Sequence, residues 1–161
     1  MIRIYILRHG EAEPYRQTDE TRELTPMGVR DAKGAGIWLK NQGVKLDHVF
    51  CSPYTRTRQT REHFLSGYGE VVPVDEKDWL TPENDARKVV SLLCAENRNA
   101  GNILLVSHMP LVSALVATLV DGSHISRSNY SMMPASMAEL SMESCGIGLA
   151  TFHRLLSPPY R

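Results

Sequence analysis

The chain has no excess of either charge: 18 lysines and arginines balance 18 aspartates and glutamates over 161 residues. A protein that grips nucleic acid or lies on an anionic membrane needs a broad basic field. Neither is therefore expected as a partner, and any anion must be met by a local cluster. Cysteine is scarce. Cys51, Cys94 and Cys145 are odd in number and lack metal-ligand or C-x-x-C spacing, which reads as three free intracellular thiols. Long apolar runs are missing too: Ile2 to Leu7 is too short for a signal-peptide core and carries Arg3, and Leu111 to Val120 is far below a membrane span. A cytoplasmic protein is the expectation. No repeat or linker divides the chain, so residues 1–161 are read as one domain with its own hydrophobic core.

What is present begins at the amino terminus. Isoleucines at 2, 4 and 6 with Leu7 make a short covered strand that runs straight into Arg8-His9-Gly10. Arg8 and His9 thus emerge at the carboxyl end of a strand, where open α/β sheets bind ligands, and Gly10 permits a sharp exit. Two further strand ends follow the same plan. Asp47 to Cys51 leads through Ser52-Pro53 into a helix whose first turn carries Arg56, and a helix start offers free N–H groups and partial positive charge to an anion. Asn102 to Ser107, an uninterrupted apolar run suited to burial on both faces, delivers His108.

Between these strands the helices are marked by their caps. Thr25-Pro26 opens one through Leu39, ended by Asn41-Gln42-Gly43, with Gly34 and Gly36 attributed to close packing on the sheet. Glu70 to Val74 reads as a peripheral strand because of Pro73. Thr81-Pro82 reads as the cap of a helix through Cys94, and Met109-Pro110 starts an apolar, buried helix to Val120. Residues 122–134 lack periodicity and read as a surface loop near the catalytic edge; Ser136 to Met142 and Gly148 to Leu155 form a hairpin. The fold class is α/β: three layers, a mostly parallel central sheet with helices on both faces.

His9, Arg8, Arg56 and His108 suit phosphoryl transfer. A neutral His9 attacks phosphorus in line and forms a phosphohistidine that water hydrolyses. Arg8 and Arg56 bind the non-bridging oxygens with planar forks, and His108 is expected as an imidazolium donating to a phosphoryl oxygen. With cations supplied by side chains, the chemistry needs no metal and no cofactor. Arg22 is a further substrate-binding candidate, either reaching the pocket or pairing with Asp19, Glu20 or Glu23. Ser52 reads as a helix cap rather than a nucleophile, and His48, His63, His124 and His153 as solvated or structural.

Leu7-Arg8-His9-Gly10-Glu11, Arg22-x-Leu24-Thr25-x-x-Gly28, Ser52-Pro53 with Arg56, and Ser107-His108 occur in the order and approximate spacing of the histidine phosphatase superfamily, which the chain resembles over nearly its whole length. The resemblance implies a phosphoglycerate mutase-like fold. In its length, its Ser107-His108-Met109-Pro110 stretch and its abbreviated Leu80-Thr81-Pro82 region the chain most resembles the compact SixA-type phosphohistidine phosphatases. The implied activity is dephosphorylation of a phosphohistidine on a signalling protein, either a histidine phosphotransfer domain of a hybrid sensor kinase or a phosphotransferase-system protein, by a monomer.

One departure discriminates between substrates. Superfamily members acting on phosphate esters place a glutamate general acid in the segment corresponding to residues 79–83, where this chain has Trp79-Leu80-Thr81-Pro82-Glu83. Glu83 reads equally as an acid or as a complement to the following helix dipole, so the acid is left unassigned. An imidazole departs as a weakly basic nitrogen and depends less on an acid than an alkoxide does, which favours P–N over P–O cleavage. The competing readings are a small-molecule phosphomonoesterase of the same superfamily and a phosphoprotein-binding module without chemistry.

Overall fold

A computed structural model describes residues 1–14, 18–97 and 101–161. Strands β1 (Ile2–Arg8), β2 (His48–Cys51), β3 (Val74–Glu76), β4 (Asn102–Ser107), β5 (Met137–Met142) and β6 (Thr151–Leu156) form a single sheet in the order β3-β2-β4-β1-β5-β6. The first four are mutually parallel, and β5 and β6 run antiparallel at one edge, so the sheet is mixed but mostly parallel as expected.

Alternation along each strand sorts the core into two layers. Ile2, Ile4 and Ile6 of β1, with Phe50, Ile103 and Leu105, face helices α3 (Ala86–Glu96) and α4 (Leu111–Asp121). Tyr5 and Leu7, with Val49, Cys51, Leu104 and Val106, face α1 (Pro26–Asn41) and α2 (Thr55–Tyr68). Both faces are covered, which is why β1 and β4 read as nearly continuous apolar runs. Arg8↔Ser107 is the last paired position of β1 with β4, and Cys51↔Val106 the last of β2 with β4. His9, Ser52 and His108 therefore leave the sheet side by side.

Several local expectations are corrected. The third strand lies at the edge, but it starts after Pro73, whose carbonyl still accepts from Val49 N–H at 2.9 Å. Helix α3 is capped by Asp85, whose carboxylate accepts from Arg87 N–H, and not by Thr81, which ends a short 3-10 turn at Asp78–Leu80. The segment after α4 contains a 3-10 helix, His124–Tyr130. Gly36 answers a close approach of α2 and not of the sheet: a Cβ there would sit 1.9 Å from the Phe64 carbonyl oxygen, whereas at Gly34 it would meet only Tyr160, at 3.9 Å. Cys94 and Cys145 are disulfide-bonded, with Cα atoms 5.4 Å apart, and only Cys51 is a free, buried thiol. A separation of 51 residues hides this pair from a spacing argument, and the cytoplasmic reading loses the support it drew from free thiols. Among the described residues no helix is long and apolar enough to cross a membrane.

Candidate active site

The site is built on the carboxyl ends of β1, β2 and β4 and held by backbone hydrogen bonds. His9 N–H donates to Ser107 O at 3.0 Å, and the His9 carbonyl accepts from Ala135 N–H at 2.9 Å. Gly10 N–H donates to Thr60 Oγ1 at 3.0 Å, and that hydroxyl donates to Arg56 O at 2.7 Å, so the turn after β1 is tied to the same face of α2 that carries Arg56. On the other side, Thr25 caps α1 through Gly28 N–H and binds Glu11 through both its backbone N–H and its hydroxyl. A Cβ on Gly28 would lie 2.2 Å from Glu11 O, and one on Gly10 would lie 2.7 Å from Gly28 O. The Leu-Thr-x-x-Gly stretch thus seats the first turn of α1 directly against the catalytic turn, which only glycine permits.

Four of the five candidate residues converge. His9 Nδ1–H donates to Gly10 O at 2.7 Å, which leaves Nε2 as the bare nitrogen, and Arg56 Nε–H donates to that atom at 3.3 Å. Burial, and then the charges of Arg56, Arg8 and Arg22, push the His9 pKa down to about 3 against the weaker opposing pull of the Gly10 carbonyl, so the ring is neutral at physiological pH. Arg8 Nη1 donates to Met132 O at 2.7 Å, while its Nε is buried with no partner among the described residues. Burial and then the Arg56 charge lower the pKa of Arg8. Two guanidiniums near enough for the charge of one to act on the other favour an anion bound by both.

His108 faces His9 edge-on, with ring centroids 5.3 Å apart, and packs edge-on against Tyr54 at 4.9 Å. The expected imidazolium is corrected. Burial, followed by the neighbouring His9 ring and the charge of Arg56, pushes the His108 pKa down to about 2, so in this structure the ring is neutral. Its Nε2 lies 2.7 Å from Ser52 Oγ, and its Nδ1 is buried without a partner among the described residues. Ser52 accordingly does not cap α2, which starts at Thr55 after Tyr54 with no side-chain cap.

Arg22, the fifth candidate, pairs directly with Asp19, one of the partners expected for it. Its Nε donates to Glu13 O at 2.8 Å and its Nη1 to Asp19 Oδ1 at 3.1 Å, and Asp19 Oδ2 in turn accepts from Arg56 Nη2 at 3.1 Å. Arg56 Nη1 also donates to Asp19 O at 2.6 Å. Burial pushes the Asp19 carboxyl up, but the hydrogen bond from Arg22 and the charge of Arg56 bring it below its ordinary value. Asp19 therefore occupies part of the Arg56 fork, a feature no motif in the sequence signals. Thr60 is the other omission, and its spacing of four from Arg56 on one helix was the available clue.

Glu83 is held by a neighbouring hydroxyl. Exposed, three residues before α3 begins, it accepts from Thr81 Oγ1 at 2.6 Å and lines an open depression of about 370 Å³ with Glu20, Pro53, Tyr54 and Asp78. The route from β3 to α3 is short and carries no insertion over the site. Of the four remaining histidines, His48 pairs with Asp75 at 2.7 Å and His153 with Ser141 at 2.6 Å, away from the site. Among the described residues no group of three His, Cys, Asp or Glu side chains is placed to hold a metal ion.

Residues 4–81 match the histidine phosphatase superfamily (branch 1). The phosphohistidine phosphatase SixA of Escherichia coli (strain K12) is 32% identical over 163 aligned positions, covering 98% of this chain and 94% of that protein. A SixA homolog of Haemophilus influenzae (strain ATCC 51907 / DSM 11121 / KW20 / Rd) is 32% identical over 85% of this chain and 86% of its own. The solved structure of the protein histidine phosphatase SixA complexed with tungstate superposes with a TM-score of 0.87 at 30% identity, covering 98% of this chain and 97% of that one.

Proposed function

Because the chain belongs to the histidine phosphatase superfamily, as a SixA-type member, we propose that it is a phosphoric hydrolase that removes the phosphoryl group from a phosphohistidine displayed on another protein. The observation that carries the chemistry is the pairing of a bare, neutral His9 Nε2 with the guanidinium of Arg56 at 3.3 Å, beside a second guanidinium on Arg8. The Nε2 lone pair attacks phosphorus as the P–N bond to the partner's imidazole breaks, and the bonding pair leaves with the partner's nitrogen. Charge that develops on the His9 ring is stabilised through Nδ1–H by the Gly10 carbonyl. Arg8 and Arg56 hold the non-bridging oxygens, with Arg22 behind them, so the phosphoryl group displaces the Asp19 carboxylate from the Arg56 fork. Water then attacks the phosphorylated His9, inorganic phosphate leaves, and the neutral imidazole returns.

The protein-borne substrate class is supported by the relatives named phosphohistidine phosphatases and by the short β3–α3 connection. Glu83, tied to Thr81 and exposed, is not in hydrogen-bond contact with either catalytic histidine, which fits a leaving nitrogen that needs no strong acid. We assign the partner to a histidine phosphotransfer domain or a phosphotransferase-system protein. The test is phosphate release from a purified phosphohistidine-bearing photransfer domain of this kind by the wild type and by His9→Ala, with a phosphate ester in parallel. Turnover of the phosphoprotein that vanishes in the variant, with poor ester turnover, is the expected result. Good ester turnover beside an inert phosphoprotein would overturn the assignment in favour of a small-molecule phosphomonoesterase.

A further inference from the structure

Ser52 sits at the end of β2 with no exposed surface, and its backbone is pinned: its N–H donates to Val106 O at 3.0 Å and its carbonyl accepts from Thr57 Oγ1 at 2.9 Å. The hydroxyl is thereby aimed at His108, with Oγ 2.7 Å from Nε2, while Tyr54 N–H approaches the same oxygen at 3.4 Å. Two arrangements of the protons are possible. If Nε2–H donated to the hydroxyl, the Ser52 hydrogen would have no acceptor among the described residues and His108 Nδ1 would be a bare acceptor, giving two buried groups unpaired among the described residues. If the hydroxyl donates to Nε2, Nδ1–H is the one group of the pair left without a partner among the described residues. Buried polar groups are rarely left unpaired, so the second arrangement wins.

We infer that Ser52 is a positioning residue that donates its hydrogen to His108 Nε2 and so holds the single proton of the neutral His108 ring on Nδ1, available to a bound phosphoryl oxygen. The direction matters, because a bare Nδ1 would present a lone pair to an anion, whereas Nδ1–H presents a donor. The groups around the ring favour neutrality: the positive charges of Arg56 and Arg8 oppose a second proton against the opposing pull of Asp19, and His9 and the Tyr54 ring pack edge-on against it. The effect on turnover rests on the phosphatase reading above, but the tautomer does not.

The experiment is nitrogen NMR of the full chain labelled in its six histidines, with the His108 pair of signals assigned by their loss in His108→Ala. In the wild type at pH 7 the expected pattern is a proton on Nδ1 and a bare, hydrogen-bonded Nε2. In Ser52→Ala that preference is expected to be lost, and the rate constant for phosphohistidine turnover to fall about tenfold or more with KM nearly unchanged. A wild-type ring protonated on Nε2, or on both nitrogens, overturns the inference without recourse to any variant. So does an unchanged tautomer in Ser52→Ala. A changed tautomer with unchanged turnover would refute the link to catalysis, and failure of the wild type to hydrolyse any phosphohistidine would refute the phosphatase reading while the nitrogen signals still judged the tautomer.

Discussion

Replacing Gly28 by alanine tests whether α1 is the mould of the catalytic turn. The added Cβ would lie 2.2 Å from Glu11 O and 3.0 Å from Glu11 N, both backbone atoms two residues from His9. No side chain can rotate away to make room, so either the start of α1 or the turn itself must shift by about 1 Å. Overpacking of this kind costs about 1–3 kcal/mol, or a fall in Tm of roughly 3–10 °C for a domain of this size. A shift of about 1 Å in a nucleophile lowers turnover by about 100-fold. Gly34→Ala is the control on the same helix, because its Cβ would meet only Tyr160 at 3.9 Å. There the gain in helix propensity should raise stability by about 0.5–1 kcal/mol with turnover unchanged. Thermal melts and initial rates on both variants decide the matter. A Gly28→Ala protein that melts and turns over like the wild type would refute the close-approach argument, as would equal damage from Gly34→Ala.

Three further outcomes are expected. His9 and His108 stay neutral down to about pH 3 and about pH 2 when folded, but charge near pH 6.5 when unfolded, so the unfolded chain takes up protons that the folded chain refuses. Stability is therefore full above about pH 6.5 and falls in acid, by about 2 kcal/mol per histidine between pH 7 and 5; urea unfolding at both pH values should show a smaller fall in His108→Leu, and an equal fall would count against the burial argument. Asp19→Asn removes the carboxylate that competes for the Arg56 fork, so inhibition by inorganic phosphate should tighten on the order of tenfold, since a charged hydrogen bond contributes about 1.5–3 kcal/mol and the amide retains part of it; unchanged or weaker inhibition would remove Asp19 from the pocket. Arg56→Lys keeps the charge but loses both the Nε contact to His9 and the planar fork, and should lower kcat by roughly 100-fold with only a modest rise in KM; near-normal rates would show that a point charge suffices.

The order of strands and helices was legible because each is written locally: isoleucines at 2, 4 and 6 alternate, Thr25-Pro26 caps, and the run from Ile103 to Val106 admits burial on both faces. From that order alone, a parallel α/β sheet brings the residues after β1, β2 and β4 to one edge, and with them His9, Arg56 and His108. Local signals erred where two of them competed. Thr81-Pro82 and Asp85 both suit a helix start, and packing selected the one after the 3-10 turn.

The state of the site was decided by contacts between residues far apart in the chain. Ser52 and His108 are 56 positions apart and meet at 2.7 Å; Asp19 and Arg56 are 37 apart; Cys94 and Cys145, 51 apart, are joined. Protonation followed the same rule, since the neutrality of His9 and His108 comes from burial and from arginines delivered by other elements. Periodicity and capping report what a segment does with its own neighbours, so the sequence by itself determined which side chains reach the sheet edge. Which of them pair, and which carry a proton, depends on desolvation and charge at distances that exist only once the sheet has closed.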